Sequence, residues 1–301
     1  MNIQPKMEKR TRRRSCLGCL GWLLLVLVLV PAAVVGGGWL WLRWHPPFGA
    51  RSTAKVLLVG LDEPTRGVGG GQRRSDTIIL CAAKLKANTA ALLSVPRDAR
   101  VRLPRHRAYA KINAAYSEGH INLLQQTLAQ PNVLNDRIPY YLVLDSETTQ
   151  AVVDAIGGVE LTVPVAMNYD DNWGHLHIHL HPGKQRLNGE QVVGYLRWRK
   201  NNHGKVFSDD FHRTERQRAL LTALAAQAHT LDGAKRLPAA YAAFRRHSWT
   251  NMTPVQLAAL GWSMRQLHSE TVTGETCTID RVSYVVCDWA RARRSWQTVS
   301  R

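Results

Sequence analysis

Basic side chains spaced as one face of a helix would present them are the strongest chemical signal in this sequence. A helix that begins at Asp210 would place three side chains at i, i+3 and i+4, on one side of its first turns. These are Arg213, Arg216 and Gln217. Guanidinium groups that converge near a helix N-terminus suit a phosphate or pyrophosphate. A surface helix with local salt bridges is the competing interpretation on spacing alone.

Two further arginines, Arg197 and Arg199, lie just before this segment, in Tyr195-Leu-Arg-Trp-Arg199. A helix is expected over Asn188–Arg197. On a continuous helix, residues two positions apart point to nearly opposite sides. Both arginines can therefore reach one ligand only if the backbone leaves the helix between them.

Two carboxylates lie at the ends of predicted core strands. Asp62 ends the apolar segment that starts at Lys55, and Asp76 is the second residue of the segment 75–83. Carboxylates brought together from adjacent strand ends, with oxygen ligands only, suit Mg²⁺ or Mn²⁺ rather than zinc. Strand ends also carry Asp for turn reasons, so this pairing alone is a weak signal.

Additional cations accompany these strands. Arg74 shares a strand face with Asp76 at a period of two, and Arg97 emerges where a third strand, over 90–95, ends. Lys111 adds another positive charge. Ligand clefts of α/β sheets form at such strand ends. Near-continuous apolar strands among predicted helices indicate an α/β domain of three α-β-α layers with a central mixed sheet.

Charge and hydropathy divide the chain and limit its environment. The net charge is +18, of which residues 1–14 contribute +5 and the rest +13, so the body is basic in its own right. An uncharged apolar run over 16–42 follows the basic tail 1–15 and is long enough for a single transmembrane helix. The positive-inside rule then places residues 43–301 outside the cytoplasm. A cleaved signal peptide is the alternative. Either way the body is exported, which argues against a nucleic acid as the anionic partner.

Cysteine and histidine patterns raise two further expectations. Cys277 and Cys287 flank a predicted hairpin and are a plausible disulfide in an oxidising compartment. Between residues 175 and 181, histidine alternates with apolar residues, which predicts four imidazoles on one strand face. These are His175, His177, His179 and His181. Metal binding, a pH-sensitive or glycan-facing surface, and a plain exposed face remain open for them.

The order of these segments resembles the LytR-CpsA-Psr family. The resemblance covers about residues 55–230 and rests on eight short segments, each weak alone but specific in this order. The segments are Gly60-Leu-Asp62, Arg74-Ser-Asp-Thr77, Ser94-Val-Pro-Arg-Asp98, Lys111-Ile-Asn-Ala-Ala115, Val153-Asp-Ala-Ile-Gly-Gly158, Pro182-Gly183 with Leu187-Asn-Gly-Glu-Gln191, Tyr195-Leu-Arg-Trp-Arg199 and Asp210-x-x-Arg213-x-x-Arg216-Gln217. One departure is Pro64, which stands where the family commonly has an arginine.

The resemblance implies a membrane-anchored phosphotransferase that acts outside the cytoplasmic membrane. Proteins of this family transfer a glycopolymer from a polyprenyl-pyrophosphate carrier to a cell-wall acceptor, usually a peptidoglycan hydroxyl. Together with the apolar run, the resemblance divides the chain into a cytoplasmic tail (1–15), an anchor (16–42), a linker (43–54) and a catalytic domain (55–301). The motifs of that domain occupy 55–230, and C-terminal helices and a hairpin occupy 231–301.

Individual roles also follow from the resemblance. Asp62 and Asp76 match the carboxylates that bind Mg²⁺, and Asp210 matches the acidic partner that orients Arg213. The residues that match pyrophosphate contacts are Arg74, Arg97, Arg197, Arg199, Arg213 and Gln217. Spacing and charge add Lys111 and Arg216 to this predicted binding set. The catalytic group is expected to comprise Asp76, Arg74, Arg97, Arg213 and Asp210.

Two other functions remain open at this point. One is an extracytoplasmic hydrolase that acts on the same donor, since water can replace the acceptor hydroxyl. The other is a lipid- or glycan-binding regulator without turnover. The general base is also open, with Asp98 or a metal-bound carboxylate as the choices.

Overall fold

The computed structural model describes residues 47–49, 53–61, 73–104, 106–172, 176–203, 210–228, 230–264 and 266–301, apart from the side chains of 210, 211, 213, 214 and 247. The chain divides into two compact units, Met1–Ala50 and Arg51–Arg301. The predicted anchor over 16–42 lies outside the described residues. Within the described residues, no helix combines the length and apolar character needed to span a bilayer.

Fourteen strands and seven helices are described in these ranges. The strands are β1 (Thr53–Leu61), β2 (Ser75–Lys84), β3 (Thr89–Ser94), β4 (Arg100–Arg102), β5 (Tyr109–Lys111), β6 (Tyr140–Leu144), β7 (Val159–Val163), β8 (Met167–Asp171), β9 (Leu176–Leu180), β10 (Gly183–Leu187), β11 (Trp249–Thr250), β12 (Gln266–Thr271), β13 (Gly274–Ile279) and β14 (Val282–Cys287). The helices are α1 (Ala114–Leu128), α2 (Ser146–Ala155), α3 (Gly189–Arg197), α4 (Asp210–Ala228), α5 (Leu231–His247), α6 (Pro254–Ser263) and α7 (Trp289–Ser300).

A mixed six-stranded sheet forms the centre, in the order β11-β6-β1-β2-β3-β12. β1 runs antiparallel to β2 and parallel to β6. β2 and β3 are antiparallel, and β12 joins β3 in parallel. β2 therefore has β1 and β6 on one flank and β3 and β12 on the other. The predicted α/β class with a central mixed sheet is confirmed.

Both faces of the central strands are covered, as their continuous apolar sequences require. Ile78 and Leu80 of β2 belong to a core cluster with Leu124 of α1 and Trp296 of α7. Ile79 and Cys81 alternate with them, point to the opposite face and are equally buried. α6, which contacts β2, lies outside that cluster.

A second hydrophobic core lies among α2, α3, α4 and the small sheets. Ribbon β7–β10 and ribbon β8–β9 are both antiparallel, and their buried residues pack with those of α2 and α3. Leu220 of α4 and Ala240 of α5 complete this cluster. The two ribbons therefore build a wall beside the central sheet that also carries α3, the helix that ends at Arg197.

Several element boundaries differ from the sequence-based expectation. The sequence predicts a helix over 121–129, whereas α1 starts at Ala114, with non-helical backbone at Gly119 and His120 inside it. It also predicts a helix over 254–267, whereas α6 ends at Ser263 and β12 begins at Gln266. The chain ends in α7 rather than in the hairpin; Asp288 caps this helix by accepting a hydrogen bond from the backbone N–H of Arg291.

The predicted disulfide between Cys277 and Cys287 is absent, and both side chains are free thiols. Strand register explains this difference. Cys277 pairs with Tyr284, whereas Cys287 pairs with Gly274, three residues further along the hairpin. An odd offset points the two side chains to opposite faces, about 10 Å apart along the strand. That separation exceeds the reach of a disulfide.

The alternation predicted for the histidine segment is confirmed for its described part. In β9 the side chains of His177 and His179 are exposed, and Ile178 and Leu180 are buried. Both imidazoles contact Oδ1 of Asp170 on β8, at 2.7 and 3.2 Å. The hydrogen bond from His177, together with the nearby His179, lowers the pKa of Asp170. His175 lies outside the described residues.

Candidate active site

Two cavities meet at the start of β2. The first, here called the α3 cavity, has a volume of about 530 Å³ and is lined by β1, β6, β8, α2 and α3. The second, here called the β12 cavity, has a volume of about 620 Å³ and is lined by β3, β12 and α7. Asp76, Thr77 and Gln217 line both. The predicted strand-end cleft is therefore present, and Asp76 lies at its centre.

Asp76 is the point at which the predicted cations converge. Its Oδ2 accepts a 2.6 Å hydrogen bond from Nη1 of Arg97 and lies 3.9 Å from Nη2 of Arg199. The side chains of Asp76 and Arg97 keep less than a fifth of their exposure. β3 ends at Ser94, shortly before Pro96, and Arg97 follows that proline, so the two partners are brought together by adjacent strands.

Arg197 and Arg199 both line the α3 cavity because α3 ends between them. α3 begins with a capping box at Asn188 and ends at Arg197. Trp198 then has φ −58° and ψ 130°, an extended conformation that turns Arg199 back to the side of Arg197. The predicted break in the helix is confirmed, and it brings both guanidinium groups to one cavity.

Arg216 has a different place from the one predicted. Its side chain is 3% exposed and does not line either cavity. Nη2 donates a 2.7 Å hydrogen bond to the carbonyl oxygen of Trp198, and the guanidinium lies 5.8 and 5.5 Å from the ring centroids of Tyr195 and Trp198. The helix face that was expected to present Arg216 to a pyrophosphate instead packs it against the end of α3.

Gln217, the next residue of α4, does face the cavities. Its Nε2 donates a 2.6 Å hydrogen bond to Oγ1 of Thr77. Thr77 in turn lies directly opposite Gly60 in the β1–β2 pair. A Cβ atom at Gly60 would come within 2.9 Å of the Cβ of Thr77, so only glycine allows this approach.

Asp98 and Lys111 form an ion pair beside the site rather than within it. Nζ of Lys111 lies 3.0 Å from Oδ1 of Asp98, and Nε of Arg97 lies 3.9 Å from Oδ2 of the same carboxylate. Neither Asp98 nor Lys111 lines the two cavities. Asp98 therefore contacts Arg97 from outside the two cavities. Its ion pair with Lys111 and its position outside the cavities make it a poor choice for the general base.

Arg74 and its neighbour Arg73 lie before β2, which begins at Ser75. Arg74 therefore lies one residue before the strand whose face it was expected to share with Asp76. Arg74 is exposed and does not line either cavity. Arg73, which the sequence did not single out, donates a 2.8 Å hydrogen bond from Nη1 to Oδ2 of Asp145, the residue that caps α2.

Asp145 belongs to the lining of the α3 cavity and has a perturbed pKa. Burial alone raises this pKa, but the hydrogen bonds from Thr148 and the charge and hydrogen bond of Arg73 outweigh it and hold the pKa below its ordinary value. The carboxylate of Asp145 is therefore held in its ionised form at the N-terminus of α2. A polar residue at the end of β6 and the start of a helix was its signal in the sequence.

Three predicted site groups lie outside what is described: Asp62 and the side chains of Asp210 and Arg213. The backbone of α4 does begin at Asp210, as expected. Among described residues, no three His, Cys, Asp or Glu side chains gather around one metal position. Asp76 nonetheless offers a carboxylate in the wall of both cavities, which is the ligand type that Mg²⁺ prefers.

The sequence did not select three other lining residues. Thr77 was not selected because it stands beside the more conspicuous Asp76, although its hydroxyl accepts the hydrogen bond that positions Gln217. Asp171 of β8 lines the α3 cavity, and Arg218 of α4 lines the β12 cavity. Period-two spacing could not find Asp171, because only the fold brings ribbon β8–β9 to the central sheet.

Comparison with known proteins identifies relatives of this chain. The polyisoprenyl-teichoic acid–peptidoglycan teichoic acid transferases TagV and TagU of Bacillus subtilis are 32% identical over 173 residues and 26% identical over 238 residues, which cover 56% and 71% of this chain. The aligned parts span 42% of the length of TagV and 70% of that of TagU.

Solved structures and a family model extend the match. The crystal structure of B. subtilis TagV superimposes with a TM-score of 0.70 at 25% identity, over 83% of this chain and 98% of that one. Protein gbs0355 of Streptococcus agalactiae has the same fold, with a TM-score of 0.71 at 22% identity over 83% and 88% of the two chains. The LytR_cpsA_psr family model matches residues 47–301. The chain therefore belongs to the LytR-CpsA-Psr family.

Proposed function

We propose that this protein is a phosphotransferase that moves a glycopolymer phosphate from a polyprenyl-pyrophosphate carrier to a hydroxyl of peptidoglycan. The observation that carries the proposal is the convergence of Arg97 and Arg199 on Asp76, with Arg197 and Gln217 in the same cavity wall. The names of TagV and TagU describe those proteins as transferases of this kind. Family membership brings the same reaction class to this chain as a proposal.

The cations at the end of α3 suit a pyrophosphate that carries a divalent ion. Arg197, Arg199 and Lys200 supply them, and the carboxylates of Asp76, Asp145 and Asp171 line the same cavity. Phosphoryl transfer needs little covalent help from a protein, so positioning and stabilisation of negative charge provide most of the catalysis. Guanidinium groups held by a fixed helix end are well suited to both tasks.

The remaining wall of the α3 cavity fits the lipid end of the donor. Leucines from β1, β6 and α3 line it together with Val193. They are Leu61, Leu144 and Leu196. An apolar wall directly beside a cationic one matches a ligand in which a pyrophosphate is attached to a hydrocarbon chain.

Magnesium is part of this proposal. Asp76, together with Asp62, would hold Mg²⁺, and either hard cation, Mg²⁺ or Mn²⁺, suits a site of oxygen ligands. When bound, the ion neutralises charge that develops on the phosphoryl oxygens. Arg97 keeps the Asp76 carboxylate oriented, and Arg197 and Arg199 bind the phosphate oxygens.

The site is proposed to work at the outer surface of the cytoplasmic membrane. The apolar run over 16–42 follows a basic tail, so the N-terminus lies in the cytoplasm and the catalytic domain on the other side of the membrane. A lipid-linked donor is then confined to the same membrane as the enzyme. A topology reporter fused after residue 301 tests this placement, and a signal from inside the cell overturns it.

The deciding experiment combines the full chain in detergent with a polyprenyl-pyrophosphate glycan, Mg²⁺ and peptidoglycan. Glycan attached to peptidoglycan, with release of polyprenyl phosphate, is the expected result. Free glycan phosphate in place of the attached product would show a hydrolase, and binding without turnover would show a regulator. The variant Arg97→Ala is expected to lose transfer, and wild-type turnover in that variant would remove the proposed site.

A further inference from the structure

The β12 cavity lies on the other flank of β2 from the α3 cavity. The strand order places β1 and β6, which line the α3 cavity, on one side of β2 and places β3 and β12, which line the second cavity, on the other. Among the described lining residues, the two cavities share only Asp76, Thr77 and Gln217. A phosphorus atom held at these three residues is therefore approachable from both sides.

The lining of the β12 cavity differs in chemistry from that of the α3 cavity. Hydroxyl side chains from β12, β13, the turn between them and α7 line it, together with the cations Arg97, Arg218 and Arg291. The hydroxyl residues are Ser269, Thr271, Thr273, Thr276 and Ser295. Hydroxyl groups hydrogen-bond to sugars, and guanidinium groups bind carboxylates through paired donors. This lining suits an anionic glycan.

Transfer of a phosphoryl group places the attacking oxygen and the leaving oxygen roughly in line, on opposite sides of phosphorus. If the donor carrier occupies the α3 cavity, the nucleophile must enter from the opposite flank. We propose that the β12 cavity is the acceptor subsite and that Arg218 and Arg291 bind carboxylates of the peptide stem of the acceptor glycan. This inference rests on the proposed function and extends it to the second substrate.

The step itself balances without any further reactant. A hydroxyl oxygen of the acceptor forms a bond to the phosphorus that carries the glycopolymer, and the bond from that phosphorus to the bridging oxygen of the pyrophosphate breaks. The hydroxyl proton is released to solvent through the open cavity. Polyprenyl phosphate leaves on the side of the α3 cavity, and the acceptor retains a phosphodiester.

The two arginines are placed to receive an acceptor without strong internal pairing. Arg218 donates a 3.2 Å hydrogen bond from Nη1 to the hydroxyl of Ser269 on β12. Arg291 is exposed in the first turn of α7. Two carboxylates are among the described residues that line the cavity: Asp76, which accepts a hydrogen bond from Arg97, and Glu270, which accepts a 2.8 Å hydrogen bond from Ser295. The described lining of this cavity is therefore positively charged overall.

The test measures the KM for each substrate separately in Arg218→Ala, Arg291→Ala and the double variant. The acceptor is a soluble peptidoglycan fragment with free stem carboxylates, and the same fragment with amidated carboxylates is the comparison. Arg294→Ala is the matched control, because Arg294 is exposed on α7 and does not line the cavity. Thermal unfolding of each variant verifies that the fold is retained.

The expected result is a rise of about tenfold or more in the acceptor KM of the double variant, with the donor KM unchanged. The amidated acceptor should show a high KM with wild type and no further loss in the variants. An unchanged acceptor KM, or an equal loss for the donor, overturns the inference. Absence of transfer by wild type would instead overturn the proposed function, so the two failures are distinguishable.

Discussion

Nη2 of Arg216 lies 2.7 Å from the carbonyl oxygen of Trp198 and joins α4 to the residue at which α3 ends. A carbonyl at a helix C-terminus lacks an intrahelical partner, and a buried guanidinium supplies one. The same contact fixes the extended backbone of Trp198, on which the common direction of Arg197 and Arg199 depends. Arg216 is therefore a positioning residue for two other arginines.

Replacing Arg216 by alanine should reduce both stability and transfer. Loss of a charge-assisted hydrogen bond and of two contacts with aromatic rings should cost ~2–4 kcal/mol, or roughly 5–15 °C in Tm. Arg245→Ala, on the exposed side of α5, is the control and should change neither. Calorimetry and a transfer assay below the lowered Tm measure the two effects. Full transfer by folded Arg216→Ala would contradict the positioning role.

Gly60→Ala should disturb the site through Thr77. The new Cβ would lie 2.9 Å from the Cβ of Thr77, so β1 and β2 must separate or Thr77 must move, at a cost of about 1–3 kcal/mol. Because Thr77 holds Gln217, transfer should fall at least about tenfold. Gly261→Ala is the matched control, since a Cβ there meets nothing within 4 Å and alanine favours the helix. Equal activity of the two variants would show that Thr77 does not position the site.

Asp76→Asn should remove both activity and its dependence on Mg²⁺. The amide loses the charge that holds Arg97 and the proposed ion, so transfer should fall about 100-fold or more. Asp280→Asn, in the turn between β13 and β14, is the control. Titration of Mg²⁺ against initial rate is the measurement. Retained Mg²⁺ stimulation in Asp76→Asn would place the ion elsewhere.

The ion pair of Asp145 with Arg73 predicts a dependence of stability on pH. The pKa of Asp145 is lowered in the folded protein, so its contribution is present above the ordinary value of 3.8 and is lost as the pH falls below it. Asp145→Asn retains a capping oxygen but no charge. At pH 7 it should be less stable than wild type by about 1 kcal/mol or less, and this difference should shrink towards pH 3. A difference that grows towards pH 3 would reverse the sign of the argument.

Thiol labelling should separate the described cysteines by exposure. Burial raises the pKa of Cys81 and of Cys287 to about 12, and both side chains are shielded. Cys277 is partly exposed. Iodoacetamide under non-reducing conditions should modify Cys277 in the folded protein and the other two only after denaturation. Peptide mass spectrometry is the readout, and a peptide that links Cys277 to Cys287 would contradict the register of the hairpin.

The sequence predicted the parts of this site that depend on strand and helix ends. Apolar runs locate β1, β2 and β3, and polar residues at the start of β2 and after β3 meet at one edge, as Asp76 and Arg97 do. The requirement that Arg197 and Arg199 share a ligand also predicted the end of α3. Local periodicity contains this information because neighbouring strands bring their ends together.

Long-range packing accounts for what the sequence could not reveal. Helical spacing places Arg216 and Gln217 near one face, but only the position of Trp198 decides that Arg216 is buried while Gln217 reaches Thr77. α7 is polar and rich in arginine, so its single buried tryptophan, Trp296, gave little sign of a core helix. Whether Cys277 and Cys287 can form a disulfide depends on the register of the hairpin, which composition alone does not specify.

Ribbon β8–β9 separates two surfaces that can change independently. Tyr169 and Asp171 of β8 line the α3 cavity, while Asp170, between them, contacts the exposed histidines on the opposite face. Asn202, three residues after Arg199, holds the ribbon in place. Its side chain accepts a hydrogen bond from the backbone N–H of Asp170 and donates one to the carbonyl oxygen of the same residue. A fluorophore attached at position 179 would therefore lie on the face opposite the α3 cavity. Such a probe would follow binding of the proposed donor in real time while the lining of the cavity stays unmodified.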